Sequence, residues 1–253
     1  MDDHPRPITD HLDELRRRLF WIFGVWLIAA LGVGSDAKLA FQVLMYPAVS
    51  AVTESGHSLI AIAPPELFFT YVKTAILGGF LISIPVTLYH VYSFIGPGMY
   101  PSEKRWAIPF VLATTILFFA GCTFGYLVAF PFVFDYFLSL EADYVTTSWT
   151  TKEIFGFMSR LYVAFGLAFQ LPVAMFILSA AGIVSGSTLA KGRRIAYVSM
   201  FVAGAILTPP DVVSQVLLAL PLMLLYEAGI WISYLVSRKR AQAGDSSVEP
   251  AKS

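Results

Sequence analysis

Residues 107–131 read AIPFVLATTILFFAGCTFGYLVAFP, twenty-five positions without an Asp, Glu, Lys or Arg. A membrane-crossing helix needs about 20 consecutive apolar residues, whereas a membrane β-strand needs only about 9–11 and alternates apolar with polar. This run is too long and too uniform for a strand, so it predicts a transmembrane helix. Apolar runs of the same kind recur at 19–35, 67–90, 154–182, 195–208 and 212–236. The fold class expected from them is an all-α integral membrane protein with six transmembrane helices. They divide the chain into an N-terminal segment (1–18), a transmembrane domain (19–236) and a disordered polar tail (237–253).

Composition agrees. Of 253 residues 57% are hydrophobic and only 13% are charged, against about 25% charged in a soluble domain; the mean hydropathy is +0.70. A soluble globule, a disordered chain and a disulfide-stapled module are excluded. Seventeen basic and seventeen acidic residues cancel, so no basic field exists to hold nucleic acid. The one cysteine, Cys122, has no intrachain partner.

Basic residues orient the spans. Thirteen fall in the N-terminal segment, the second and fourth connections and the tail, while only Lys38 and Lys152 fall in the odd-numbered connections. With an even span count this puts both termini in the cytoplasm. Arg16, Arg17 and Arg18 before an apolar run have the outline of a cleavable signal. The length of that run, with Trp21, Phe23 and Trp26, favours a permanent anchor and its aromatic belt. The long first external connection, 36–66, is apolar enough to fold as a small helical cap. The 132–153 connection is intermediate, and the third external connection is only Thr208-Pro209-Pro210-Asp211. The fifth helix, with its short apolar run, falls well below a core of about 30 Å, which predicts local thinning or a partner that covers the mismatch. A weak internal echo, Ile84-Pro85-Val86 and Leu171-Pro172-Val173 each followed by a basic connection, needs no true repeat to explain it.

The residues offer no catalytic centre, metal site or cofactor site. No metal-spaced Cys/His cluster, nucleophile elbow or phosphate-binding loop occurs, and His4, His11, His57 and His90 are scattered.

Three groups of polar residues remain. In Ile8-Thr9-Asp10-His11-Leu12-Asp13-Glu14-Leu15-Arg16-Arg17-Arg18-Leu19, Ile8, Leu12, Leu15 and Leu19 form an apolar stripe at helical spacing. Asp10 is placed to cap the helix, which lies at the interface before the first span. Asp13 can pair with Arg17, and Glu14 with Arg18, at i,i+4; the same carboxylates could bind a partner. The first cytoplasmic connection, 92–105, is stiffened by Pro97, Pro101, Gly96 and Gly98 and carries Phe94 and Glu103. Glu103 pairs with Lys104 or Arg105, or serves as a docking edge for a basic peptide. Within the membrane, Gln170 is the most central polar residue, so it marks a groove facing the bundle interior. Arg160 and Glu66 lie nearer the outer interface and snorkel, and Glu227 pairs with a cytoplasmic basic residue. Around the last external turn Asp211 caps a helix, or Thr208, Asp211 and Gln215 contact another subunit's helix.

These motifs resemble the TatC family, the multispanning core subunit of the twin-arginine protein translocase. His11-Leu12-x-Glu14-Leu15-Arg16-x-Arg18-Leu19 is similar to its N-terminal signature. Phe94-Ile95-x-Pro97 with Tyr100-x-x-Glu103-x-Arg105 is similar to its first cytoplasmic loop. Ala164-Phe165-Gly166 through Gln170-x-Pro172-Val173 resembles its fourth helix, and Leu207-Thr208-Pro209-Pro210-Asp211-x-x-Ser214-Gln215 its last external turn. The resemblance implies a cupped six-helix bundle in the bacterial plasma (inner) membrane, with no enzymatic activity and no cofactor. It implies a receptor for signal peptides carrying paired arginines on folded cargo, driven by the proton-motive force. Glu14 and Glu103 would contact the arginine pair, while Arg16, Arg18 and Phe94 shape the same patch. Pro47 matches a structural position in the first external loop. Thr208 and Gln215, beside Asp211, would receive single-span TatA- and TatB-type subunits in a larger complex that includes further copies of this chain. Gln170 replaces a glutamate of some members, which removes an ionisable group from the groove.

Two other classes compete. A small-solute transporter needs a continuous polar path, and only Gln170 is central. An intramembrane hydrolase lacks its nucleophile and metal ligands.

Overall fold

The computed structural model describes residues 8–95, 107–142, 147–208 and 211–245. Nearly all of them are helical: α1 (Ile8–Gly34), α2 (Ala37–Glu54), α3 (Pro64–Ile95), α4 (Ala107–Phe124), α5 (Phe130–Ser139), α6 (Thr151–Ala168), α7 (Leu171–Ala180), α8 (Gly186–Lys191), α9 (Arg193–Leu207) and α10 (Val212–Asp245). Among the described residues five stretches are long and apolar enough to cross a membrane: Leu12–Gly34, Pro64–Phe94, Ile108–Ser139, Thr151–Ala180 and Val212–Arg238. The sixth apolar run forms α9, whose 15 residues extend about 22 Å at 1.5 Å each. The all-α membrane class is as expected.

The helix boundaries differ from expectation in three places. α1 runs unbroken from Ile8 to Gly34, so Asp10 lies inside the first turn instead of capping it, and no junction separates an interfacial helix from the first span. The third span extends past 131 to Ser139, because a π-helical turn at Gly125–Ala129 precedes Pro131. The Phe130 N–H bonds to the Gly125 carbonyl five residues back. That wider turn admits a proline, which has no N–H to give the next carbonyl. The fourth span breaks at Phe169-Gln170, two residues before Pro172. There the proline ring would meet the Ala168 carbonyl and cannot bond to it. The 36–66 connection does contain a helix, α2, with Met45, Pro47, Ala48 and Val52 buried.

Contacts divide the chain into two units. In the first, Met1–Ile116 with Ala142–Gly156, α1 packs along α3. Gly79 lets the two backbones meet, since a Cβ there would lie 2.5 Å from Ala30 Cα. Trp26 donates its indole N–H to the Ile76 carbonyl at 2.9 Å. The segment before α3 is tied to the segment before α6. The Ile60 N–H donates to the Trp149 carbonyl, and the Thr151 N–H donates to the Ile60 carbonyl, at 2.9 Å each. Glu66 accepts the N–H of Ile62 at 2.9 Å and that of Lys152 at 3.0 Å. Its carboxylate thus satisfies backbone donors in both connections, one of them an orphan N–H at the start of α6.

The second unit is Leu117–Glu141 with Phe157–Ser253. An aromatic core of Phe118, Phe124, Phe130, Phe134, Phe157, Tyr162 and Phe165 fills the α4–α6 contact. Gly121 and Gly166 leave room for it, as a Cβ would meet the Phe165 carbonyl or the Phe118 ring at 2.4–2.5 Å. α7 packs on α10, where Gly229 accommodates Met175 and Ser233 donates to the Met175 carbonyl at 3.4 Å.

Candidate functional site

The first polar group lies at the N-terminal end of α1. Asp13, Glu14, Arg16, Arg17, Phe20, Trp21 and Gly24 are the described residues lining a cleft of about 1150 Å3. Their spacing places them on one flank of the helix. Charged residues stand at the N-terminal end of the cleft, and the exposed rings of Phe20 and Trp21 follow one turn on. A Cβ on Gly24 would meet nothing within 4 Å, so the wall is open there.

Glu14, which lines this cleft, pairs with Arg18 at i,i+4, as one reading of the sequence expected. Arg18 Nε and Nη2 lie 3.0 and 2.5 Å from Glu14 Oε1, and both side chains are 20% exposed. Asp13 pairs with Arg16 at 3.1 Å, one position short of the expected Arg17. Both members of that pair are about 70% exposed, so solvent screens it. Arg18 also reaches the other helix: its Nη1 donates to the His90 carbonyl on α3 at 3.4 Å. Phe94, half-buried, lies one turn beyond His90 on α3. The structure thus brings Glu14, Arg18 and the end of the Phe94-bearing helix together. Tyr92 and Phe110 stack at 4.6 Å and hold the two ends of the 96–106 connection side by side. Glu103 and Pro97 lie in that connection, outside the described residues.

The second polar group surrounds the turn between α9 and α10. Asp211 Oδ1 accepts the Ser214 N–H at 2.7 Å, the expected helix cap. Thr208, buried, donates to the Gly204 carbonyl at 2.9 Å, and Gln215 Nε2 donates to the Phe201 carbonyl at 2.9 Å. Gln215 can cross to α9 because Gly204 has no side chain, its Cβ position being 3.3 Å from Gln215 Cγ. Asp211 Oδ2 and Ser214 Oγ are buried without a hydrogen-bond partner among the described residues. Pro209 and Pro210 lie outside those residues. Gln170 sits at the α6–α7 break, where its carbonyl accepts the Ala174 N–H at 2.9 Å. Pro47 is buried within α2.

Glu227 finds the basic partner expected of it. Arg193 Nε and Nη2 each lie 2.7 Å from its two carboxylate oxygens, and the Tyr197 hydroxyl also donates to it. The two nitrogens of the guanidinium fork thus meet both carboxylate oxygens, a bidentate pair. Arg193 and Tyr197 were not singled out from sequence. The only signal for them is a basic residue after a turn facing an acid one helix away. Among the described residues no group of three or more His, Cys, Asp or Glu could hold a metal ion.

Comparisons with known proteins identify the family. The model of the family described as TatC, Sec-independent protein translocase protein, matches residues 10–221. The chain belongs to the TatC family. A relative from Desulforapulum autotrophicum, the Sec-independent protein translocase protein TatC, is 37% identical over 255 residues, spanning 99% of this chain and 91% of its own. Its counterpart from Aquifex aeolicus is 37% identical over 238 residues, 93% of this chain and 98% of its own. That of Escherichia coli K12 is 34% identical over 228 residues, 90% and 88%. The crystal structure titled twin arginine translocase receptor TatC superposes with a TM-score of 0.81 at 36% identity, over 90% of this chain and 99% of that one. The chain is therefore a membrane-embedded TatC component of the twin-arginine protein export system, a transport subunit and not an enzyme.

Proposed function

We propose that this chain is the receptor subunit of the translocase and binds the paired-arginine signal peptides of folded cargo at the α1 cleft. Glu14 and Glu103 take the two guanidinium groups, Arg16 and Arg18 set the charge around them, and Phe94 forms an apolar edge. The observation that carries this reading is the Glu14 carboxylate, which already holds a guanidinium at 2.5–3.0 Å at the lip of an open cleft. Its surroundings accept the planar fork of an arginine, a shape that a lysine ammonium lacks. The rings of Phe20 and Trp21 beyond it offer apolar surface to the part of the signal that follows.

In the same reading the chain crosses the bacterial plasma membrane six times with both termini in the cytoplasm. The sixth crossing is α9, roughly 8 Å short of a core of about 30 Å. Single-span TatA- and TatB-type subunits dock beside the α9–α10 turn, where the short helix leaves a mismatch. There Asp211 Oδ2 and Ser214 Oγ retain hydrogen-bonding capacity for an incoming helix. Gln170, at a backbone break, gives a neutral polar contact deeper in the bundle.

Site-specific photocrosslinking in native membranes tests the receptor role. Probes beside Glu14 and beside Glu103 are expected to capture an Arg-Arg signal peptide and not its Lys-Lys variant. Equal capture of both peptides by a correctly inserted protein would overturn the assignment.

A further inference from the structure

The binding reading above leaves one feature unexplained: the carboxylate assigned to the signal is already occupied. Arg18 grips Glu14 Oε1 with two nitrogens, and both side chains are mostly withdrawn from solvent at 20% exposure. Beside them Arg16 sits on Asp13 at 3.1 Å. Two arginines of the chain itself, spaced two residues apart, thus lie on two adjacent carboxylates of the cleft. Their chemistry is that of the ligand. Arg17, between them, makes no ion pair among the described residues, so both carboxylates are already taken and one arginine is left over.

Resting on that reading, we infer that Arg18 is an internal competitor for the receptor site: it holds Glu14 until a signal arginine displaces it. The contact to the His90 carbonyl gives the displaced arginine a second anchor. Arg18 Nη1 already donates to that oxygen at 3.4 Å, so the guanidinium can turn from Glu14 toward the end of α3 without losing every partner. Exchange of one guanidinium for another leaves the net charge of Glu14 and its fork unchanged. A ligand whose cation cannot form the fork, such as lysine, replaces a two-nitrogen contact by a point charge and displaces Arg18 poorly. The internal arginine therefore weakens every ligand that must take Glu14, and by one common factor, because each must better the same tethered competitor. The Asp13–Arg16 pair, about 70% exposed, contributes far less.

The test is a double-mutant cycle on the full chain reconstituted in lipid nanodiscs, titrated with a fluorescent Arg-Arg signal peptide and with its Lys-Lys variant. Arg18→Gln is expected to tighten Arg-Arg binding by roughly threefold to tenfold, the scale of one partly screened ion pair. It is expected to tighten Lys-Lys binding by the same factor, so that the ratio of the two affinities stays as in the wild type. In a Glu14→Gln background the same change should give no gain. Arg18→Lys, which keeps the charge and loses the fork, should fall between wild type and Arg18→Gln, and it stands in if Arg18→Gln inserts poorly. Weaker Arg-Arg binding by both Arg18 variants, with wild-type discrimination intact, would overturn the competitor role and make Arg18 a positioning residue for Glu14. Failure of the wild-type protein to distinguish the two peptides would instead overturn the receptor reading and this inference with it.

Discussion

Gly79 faces Ala30 across the α1–α3 contact so closely that a Cβ at position 79 would lie 2.5 Å from both the Cα and the backbone nitrogen of Ala30. The obstacle is main chain, so no rotamer change on α1 can relieve it. Gly79→Leu is expected to separate the two helices and cost about 3 kcal/mol or more, the upper range for overpacking. Unfolding of the purified protein in detergent would measure it. Gly24→Leu, on the open side of α1 where a Cβ would meet nothing within 4 Å, should leave that stability nearly unchanged.

Asp211 separates a capping role from a docking role. Asp211→Ala removes the acceptor for the Ser214 N–H and should cost about 1 kcal/mol in the same unfolding measurement. Asp211→Asn keeps an oxygen for that bond and should cost little. If Asp211 also receives a partner helix, Asp211→Asn will still weaken crosslinking to single-span subunits in membranes, in a protein of near-normal stability.

Glu66 joins two connections through backbone donors alone. Glu66→Ala should lower the melting temperature and expose the 55–63 and 147–150 segments to proteolysis. Glu66→Gln keeps one carbonyl oxygen and should lie between Glu66→Ala and wild type. Equal protease resistance in all three proteins would show that the main-chain bonds between Ile60 and 149–151 suffice.

The Arg193–Glu227 pair is half in solvent and should therefore be salt-sensitive. Raising ionic strength is expected to lower the melting temperature of the wild type slightly and that of Glu227→Gln less. Tyr197→Phe, which removes the third member of the cluster, should retain the salt response of the wild type.

Much of the architecture is written in runs of apolar residues, because a membrane helix carries its length in composition. The helical 36–66 segment and the short α9 are readable in that way; the Asp211 cap follows from turn chemistry, and for Glu227 a basic partner is expected but not which one. The π turn before Pro131 and the break before Pro172 are not readable. A proline marks where a helix must adjust, but a bulge and a break satisfy it equally, and the choice depends on which neighbours pack there. Asp13 chose Arg16 over Arg17 because both spacings bring side chains together on a helix and nothing local separates them. The role of Glu66 was hidden for a different reason: its partner Lys152 lies 86 residues away. In the candidate site, the motif residues Glu14, Arg18 and Phe94 could be named from sequence. That Arg18 also touches the helix carrying Phe94 required the fold.

The separation between Glu66 and Lys152 also sets an order of events during biosynthesis. A ribosome adding roughly 5–20 residues per second needs on the order of ten seconds to pass from one to the other. Throughout that interval α3 can be threaded into the bilayer while the carboxylate at its start has only the Ile62 N–H to hold. The fastening of the two connections is thus a late step, completed only when the beginning of α6 has emerged. A nascent chain arrested before residue 152 would carry the first helices without their clasp.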